Sequence, residues 1–238
     1  MNGNKIHLLI DYYKNPRPER AEELDFCFLE NINSKEFDHI HIFQESPLPT
    51  DNISSKVILN PIVERLTYQY YFDYAKQNIP QDDIVILSNS DIFFDESISI
   101  IKELDLSNKV LALTRFCPYH GHWVNETGEV IPYAIHNRSQ DVWIWKNPLD
   151  TKNIDFNFNI GVLGCDNKIA YQLHQAGYQV WNPSYSIICY HKHKERDDDK
   201  DLHKSKPKQW LPGPYLFPDA CSIEHITEKN YNSYISFN

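Results

Sequence analysis

Short apolar runs alternate with longer amphipathic stretches along the first half of the chain. Continuous apolar runs such as residues 6–10 are typical of strands that are buried on both faces of a parallel sheet. Residues 18–29 begin with proline and acidic side chains and carry apolar residues at helical spacing, which predicts a helix, and a second helix is predicted over residues 65–77. The predicted strands are 6–10, 38–43, 57–60 and 84–88. This alternation predicts a Rossmann-like α/β fold with a mixed, mostly parallel sheet flanked by helices.

The second half of the chain continues this pattern and then changes in composition. Further strands are predicted at 109–115, 140–145, 178–181 and 186–190, and helices at 96–104 and 166–177. Residues 118–136 combine aromatic and polar side chains with glycines, which favours a hairpin or flap. After residue 193 a charged run is followed by a proline-rich aromatic segment. We therefore predict one domain over residues 1–193 and a C-terminal extension over 194–238 that is either a lid or a linker toward another domain.

Composition and charge narrow the functional classes. With 238 residues, the chain is long enough for one α/β domain with a substantial core. A formal net charge of −10 and the lack of a basic stripe argue against nucleic-acid binding. The five cysteines are scattered, which is typical of a reduced, cytoplasmic protein. No signal peptide or membrane-spanning run is visible, although peripheral contact with a membrane through a partner or a lipid-linked acceptor stays open.

The most informative segment is the apolar run 84–88 together with the three polar residues after it, Asn89, Ser90 and Asp91. Open α/β sheets bind their ligands beyond the carboxyl ends of the strands, so Asp91 is expected at such an edge. Hard divalent cations such as Mg²⁺ prefer oxygen ligands of this kind. Asp91 is therefore either a metal ligand or an N-terminal cap of the next element.

Two later segments add candidates for chemistry. Asp166 begins a predicted helix that ends at Gly177, so it is either a helix cap or a carboxylate presented as a general base. His191 and His193 follow the last predicted core strand and point to the same side of it. Imidazole binds Mn²⁺ and related ions, so either histidine is a candidate metal ligand, with His191 favoured; the alternative for each is a surface histidine.

In their order along the chain, the strand end at Asn89-Ser90-Asp91, the helix start at Asp166 and the strand end at His191 resemble the motifs of GT-A fold glycosyltransferases that use nucleotide sugars. The resemblance implies that Asp91 and His191 hold a divalent metal, Mn²⁺ or Mg²⁺, against the donor diphosphate. It also implies that Asp166 deprotonates the acceptor hydroxyl. The family has a carboxylate where this chain has Asn89, and this departure implies weaker metal binding.

Further donor and acceptor contacts follow from the same comparison and from residue type. The first strand ends where GT-A folds bind the base, and the second helix approaches the diphosphate. The expected donor contacts are Asp11, Tyr12, Arg65, Asn89, Ser90 and Asp91. Polar and aromatic groups alternate along residues 140–145, so the expected acceptor contacts are Gln140, Asp141 and Trp143. Core packing of Trp143 and Tyr12, and a solvent-exposed Arg65, are the alternatives.

The resulting hypothesis is a glycosyltransferase of the kind that builds polysaccharides. It would move a sugar from a nucleoside diphosphate sugar to a hydroxyl of a glycan or lipid-linked glycan, with inversion at the anomeric carbon. Asn159-Ile160-Gly161 is similar to a turn of retaining GT-A enzymes, so the stereochemistry stays open. A metal-dependent hydrolase of nucleotide sugars or phosphodiesters and a non-catalytic carbohydrate-binding module are the alternative functions.

Overall fold

The computed structural model describes residues 4–116, 139–151, 154–192 and 210–238. Within these ranges there are three α-helices, α1 at Pro18–Asn33, α2 at Tyr68–Asn78 and α3 at Cys165–Gln175. The strands are β1 at Ile6–Tyr12, β2 at His39–Gln44, β3 at Val57–Pro61, β4 at Ile84–Ser88, β5 at Ile92–Phe94, β6 at Lys109–Leu113, β7 at Val142–Lys146, β8 at Gln179–Trp181, β9 at Cys189–His191, β10 at Leu216–Pro218 and β11 at Ile235–Phe237. Short 3-10 helices occur at Glu96–Glu103, Ile223–His225 and Tyr231–Ser233.

Seven of these strands form one mixed sheet in the order β3-β2-β1-β4-β7-β6-β8. The pairs β2–β3, β1–β2, β1–β4 and β6–β8 are parallel, whereas β7 runs antiparallel to its neighbours β4 and β6. β5 and β9 pair in a separate antiparallel ribbon, and so do β10 and β11. The predicted fold class, a mostly parallel Rossmann-like α/β sheet flanked by helices, is confirmed.

The sheet is buried on both faces because successive side chains of each strand point to opposite sides. Leu8 of β1 belongs to the core that includes Phe28 of α1. Leu9, the next residue, belongs to a second core with Tyr71 of α2 and Ile169 of α3. This two-sided burial explains why β1 and β4 are continuous apolar runs in the sequence.

Three predicted elements differ from the structure. The second helix begins at Tyr68, because Thr67 caps it by accepting a hydrogen bond from the Tyr70 amide, so Arg65 precedes the helix. The predicted helix at 96–104 is a 3-10 helix. The predicted core strand at 186–190 is replaced by β9, which pairs with β5 outside the main sheet and places His191 opposite Ile92.

The strand register determines which side chains share the carboxyl-terminal edge of the sheet. In β4, Ser88 lies opposite Ile10 of β1 and opposite Val142 of β7. Asn89 follows β4, and its amide donates to the carbonyl of Asp141 at 3.0 Å. The residues that follow β1 and β4 and those that precede the antiparallel β7 therefore meet at one edge.

The described part of the C-terminal extension, residues 210–238, packs against the second half of the domain. The Cys221 amide donates to the Asn182 carbonyl at 2.8 Å, just after β8. The hydroxyl of Tyr231 accepts from the Val180 amide at 3.0 Å and lies 3.1 Å from His174 Nδ1 on α3. Residues 193–209, where the predicted boundary falls, lie outside the described residues, so that boundary stays a prediction.

Among the helices of the described ranges, none combines the length and the apolar character needed to cross a membrane. The cytoplasmic location stays a prediction.

Three histidines cluster at the amino-terminal edge of the sheet, away from the edge described above. His7 Nδ1 lies 3.0 Å from His41 Nε2, and His7 Nε2 lies 3.1 Å from Asp83 Oδ2. The ring of His39 lies 4.8 Å from that of His7, and His41 Nδ1 lies 2.9 Å from the hydroxyl of Tyr74. Burial, together with the neighbouring histidines, lowers the pKa of His41 to about 3.

The substitution His41→Gln should make the protein less sensitive to acid. In the wild type the unfolded chain takes up a proton at His41 near pH 6.5 whereas the folded chain does not, so stability is lost as the pH falls below that value. Glutamine does not titrate, so the Tm of the variant should fall less than the wild-type Tm between about pH 7 and about pH 5. Thermal denaturation across this range measures the difference. The exposed His225→Gln is the control, and an equal fall in Tm for the wild type and His41→Gln would contradict the prediction.

Candidate active site

A cleft of about 210 Å³ lies at the carboxyl-terminal edge of the sheet. It receives side chains from the ends of β1 and β4, from α1, from the segment before α2 and from the turn before α3. Its charged lining residues are Asp11, Arg20, Glu45, Arg65 and Asp91. Its other lining residues include Tyr13, Ser88, Asn89, Ser90 and Gly161. Two guanidinium groups beside a half-buried carboxylate suit a ligand that contains phosphate.

Asp91 lies between an arginine and a histidine. His191 Nε2 is 2.9 Å from Asp91 Oδ2, and the guanidinium of Arg20 donates to the same oxygen. Burial alone would raise the pKa of Asp91, but His191 and Arg20 outweigh it and hold that pKa well below its usual range. The β5–β9 pairing positions His191, and Asn31 of α1 donates to the Ile92 carbonyl at 2.8 Å, which fixes α1 and its Arg20 beside β5.

The donor set of Asp91 and His191 fits a divalent transition metal, because a carboxylate oxygen and an imidazole nitrogen converge within 2.9 Å. Over the described ranges there is no group of three His, Cys, Asp or Glu side chains suited to a metal, so a bound phosphate or water would complete the shell. A metal here would share Asp91 with Arg20. His193, the alternative ligand, lies outside the described residues.

Asn89 holds a neighbouring carboxylate in place. Its side-chain amide donates to Asp141 Oδ1 at 2.8 Å, and Arg115 Nη1 contacts the two oxygens of the same carboxylate at 2.6 and 2.7 Å. A carboxylate at position 89 would face the carboxylate of Asp141 and would be repelled by it. This contact explains why an amide stands where the resemblance implies an acid.

Asp166 lies in the first turn of α3, near the Asp141 carboxylate. The helix begins after Gly164, whose φ of +79° suits glycine. Cys165 Sγ donates to Asp166 Oδ1 at 3.1 Å, and the Gln140 backbone amide also donates to this carboxylate. Burial, with a second contribution from Asp141, raises the pKa of Asp166 to about 7. A carboxyl with this pKa is suited to accept a proton near neutral pH.

Asp11 and Arg65 lie together in the same cleft. Asp11 accepts a hydrogen bond from the Tyr71 hydroxyl, and burial raises the pKa of Asp11 to about 6. The guanidinium of Arg65 packs against Gly161, where φ is +72° and a Cβ atom would collide with it. Asn159 Nδ2 donates to the Arg65 carbonyl at 2.9 Å. The turn at 159–161 therefore fixes the segment that carries Arg65.

The structure brings most of the predicted donor contacts to the cleft, namely Asp11, Arg65, Asn89, Ser90 and Asp91. Tyr12 is not among the lining residues. Strand alternation turns its side chain to the opposite face, where its hydroxyl donates to Asp25 at 2.6 Å, and Tyr13 lines the cleft in its place.

The three predicted acceptor contacts have different environments. Trp143 is 2 % exposed and packs edge-on against Tyr68, so it is a core residue, as the alternative interpretation holds. Gln140 is buried, and its Oε1 accepts from Asn167 Nδ2 at 3.3 Å. Asp141 is also buried and joins Asn89 to Arg115. The contacts of Gln140 and Asp141 position Asp141 and α3, and the three side chains are too buried to contact a sugar at the surface.

Sequence reasoning missed two arginines of this region. Arg20 carries a recognisable signal, since it lies in the first turn of the helix after β1, and that turn faces the carboxyl-terminal edge of an α/β sheet. Arg115 lies two residues beyond β6, and its local signal is the end of the predicted strand 109–115. Its role follows from the antiparallel pairing of β6 with β7, which brings it to Asp141.

The sequence matches no protein family, and comparison with curated proteins gives no match. Solved structures are similar in fold. The mannosyltransferase PcManGT from Pyrobaculum calidifontis, in complex with GDP-Man and Mn²⁺, is 12% identical, with a TM-score of 0.47 over 81% of this chain and 58% of that chain. The inositol-1-phosphate CTP transferase from T. maritima is 10% identical, with a TM-score of 0.47 over 89% and 99%. TarS from S. aureus is 14% identical, with a TM-score of 0.44 over 84% and 38%.

This chain thus spans less than two thirds of the mannosyltransferase and of TarS. Similarity at this level concerns the fold. It does not select an activity for this chain.

The substitution Asp166→Asn should stabilise the protein increasingly as the pH rises. The pKa of Asp166 is raised from 3.8 to about 7 in the folded state. Ionisation of Asp166 therefore lowers the stability of the folded protein as the pH rises through this range. Asparagine keeps an oxygen acceptor but does not ionise. The Tm difference between variant and wild type should therefore grow from about pH 4 to about pH 7 and then level off, reflecting at most a few kcal/mol.

Thermal denaturation at several pH values measures this difference. Asp51→Asn, at an exposed position, is the matched control and should show little change. A Tm difference for Asp166→Asn that does not vary with pH would contradict the raised pKa.

Proposed function

We propose that this chain is a metal-dependent glycosyltransferase that moves a sugar from a nucleoside diphosphate sugar to a hydroxyl of a glycan or lipid-linked glycan. The observation that carries the proposal is that two carboxyl groups in one region have pKa values shifted in opposite directions. Asp91 is held ionised by His191 and Arg20, whereas the pKa of Asp166 is raised to about 7. Environments that push two pKa values apart assign different roles to the two groups. Asp91 suits a cation, and Asp166 suits a general base.

The cleft provides the charges that a nucleoside diphosphate requires. Arg20 and Arg65 both line it, and guanidinium groups bind phosphate oxygens in pairs. Asp91 and His191 would hold the divalent cation, which when bound supplies charge stabilisation to the departing diphosphate. Ser90 and Tyr13 line the same cleft and would contact the nucleoside or the donor sugar.

The proposed transfer is a single displacement at the anomeric carbon. Asp166 accepts the proton of the acceptor hydroxyl while the hydroxyl oxygen forms its bond to that carbon. The bond from the carbon to the diphosphate oxygen breaks, and the nucleoside diphosphate leaves with the bonding electrons. Arg20 and Arg65 then face the negative charge that has developed on the leaving group.

The proposal includes inversion at the anomeric carbon, and the contacts of the turn at 159–161 are compatible with it. Its likeness to a turn of retaining enzymes has a structural explanation here. Asn159 binds the Arg65 carbonyl, and Gly161 leaves room for the Arg65 side chain. The turn therefore supports the segment that carries Arg65, and the proposal of inversion rests on Asp166 as the general base.

Thermal shift measures the donor site directly. With Mn²⁺ or Mg²⁺ present, one of UDP, GDP, dTDP and CMP should raise the Tm by about 5 to 10 °C at about 100-fold over its Kd. Asp91→Asn should lose the metal-dependent part of this rise, since the amide carries no charge, while the exposed control Asp51→Asn should keep it. No rise with any of the nucleotides would favour the carbohydrate-binding module instead.

Turnover separates the transferase from a hydrolase. Release of the nucleoside diphosphate should depend on a sugar acceptor, and kcat/KM should rise with pH to a plateau above about 7, as Asp166 becomes ionised. Asp166→Asn should lower kcat by about 100-fold or more while keeping the metal-dependent nucleotide shift. Equal release with and without acceptor would favour the hydrolase.

A further inference from the structure

A second pocket, of about 520 Å³, lies between α3 and the C-terminal extension. Four of its lining residues are aromatic, Trp210, Tyr215, Phe217 and Phe237, and the others are Asn167, Ser236 and Asn238. We call it the aromatic pocket. Trp210 is 55% exposed and Phe237 is 54% exposed, so two large aromatic faces remain accessible to solvent.

The aromatic pocket is held by regular structure. β10 and β11 pair so that Leu216 lies opposite Phe237, and the Tyr215 amide donates to the Asn238 carbonyl at 3.0 Å. Phe237 packs against the ring of Tyr171 on α3, with centroids 6.4 Å apart. The ring of Phe237 is therefore held in place before any ligand binds, which lowers the entropic cost of binding.

The aromatic pocket adjoins the first turn of α3, where Asp166 lies. A Cβ atom on Gly164 would lie 2.9 Å from Trp210 Cε3 and 3.2 Å from the Tyr215 hydroxyl, so both rings rest on the residue two positions before Asp166. Asn167, the residue after Asp166, lines the same pocket. The Leu211 amide also donates to the Leu163 carbonyl at 2.9 Å. The pocket and the proposed base thus share one short segment of backbone.

The lining chemistry indicates a neutral, polar ligand with apolar faces. None of the described lining side chains carries a carboxylate, ammonium, guanidinium or imidazole group, in contrast to the cleft that contains Asp91. Exposed aromatic rings pack against C–H faces, and amide and hydroxyl groups bind hydroxyls. A sugar ring offers both kinds of surface, whereas a nucleotide or a peptide terminus brings charge that this pocket would leave unpaired.

We infer that the aromatic pocket binds the acceptor as an uncharged oligosaccharide, with one sugar ring stacked on Trp210 and its reacting hydroxyl directed toward Asp166. The acceptor role rests on the proposed function; binding of a neutral sugar does not. Residues 210–238 then form a wall of the acceptor site. The sequence predicts a lid or a linker for this part of the chain.

Binding is tested without turnover by NMR of the tryptophan indole groups. The full chain is titrated with neutral methyl hexosides and N-acetylhexosaminides and with the disaccharides lactose, maltose, mannobiose and chitobiose. The indole signal of Trp210, identified by its loss in Trp210→Phe, should shift with at least one sugar class. No shift with any of these sugars would overturn the inference.

Turnover then tests the acceptor role. With the sugar that binds as acceptor, Trp210→Ala should raise the acceptor KM about tenfold or more, while the donor KM and the metal-dependent nucleotide shift stay unchanged. Trp210→Phe, which keeps an aromatic face, should recover most of the affinity, and Tyr185→Ala, at a 51% exposed position outside the pocket, should behave as wild type.

The outcomes separate the two proposals. Transfer with an acceptor KM that Trp210→Ala leaves unchanged would overturn the inference and leave the proposed function intact. A sugar-induced shift of Trp210 without any transfer would sustain the pocket as a sugar site and count against the glycosyltransferase activity.

Discussion

The site depends on the position of β4 between β1, which is parallel to it, and β7, which is antiparallel. The parallel neighbour brings its own carboxyl-terminal end, with Asp11, to the end of β4. The antiparallel neighbour brings its amino-terminal end to the same place, so Asp141 meets Asn89. A slip of one residue in either pairing would turn these side chains to the other face of the sheet and separate them.

The carboxylates gathered at this edge differ because their cationic partners are distributed unequally. Asp91 has Arg20 and His191, and Asp141 has Arg115. Asp166 receives weaker donors, a thiol and a backbone amide, and the nearest guanidinium group is already engaged by Asp141. Two aspartates thereby acquire opposite pKa shifts within one region. This difference supports the proposed roles, cation binding for Asp91 and proton transfer for Asp166.

The molecule is also divided along the sheet into two chemical environments. The cleft beyond β1 and β4 is charged, with two arginines and a paired carboxylate. The aromatic pocket beside α3 is lined by uncharged side chains and lies against the C-terminal extension. The first turn of α3, with Asp166, stands next to the second environment and interacts electrostatically with Asp141 at the border of the first. In the proposed function, the charged donor and the neutral acceptor would meet at this boundary.

The sequence by itself determined the seven strands of the main sheet, their alternation with helices and the carboxyl-terminal edge, because burial on two faces requires continuous apolar runs that are visible in one dimension. It also placed Asn89, Ser90, Asp91 and Arg65 at that edge. Tertiary structure alone decided that Tyr12 donates to Asp25 on the opposite face, that Trp143 is core and that β9 leaves the main sheet. It also decided that Arg20 and Arg115 supply the charges and that the described extension forms a pocket. These features arise from pairings between residues distant in the chain, and local periodicity contains no information about such partners.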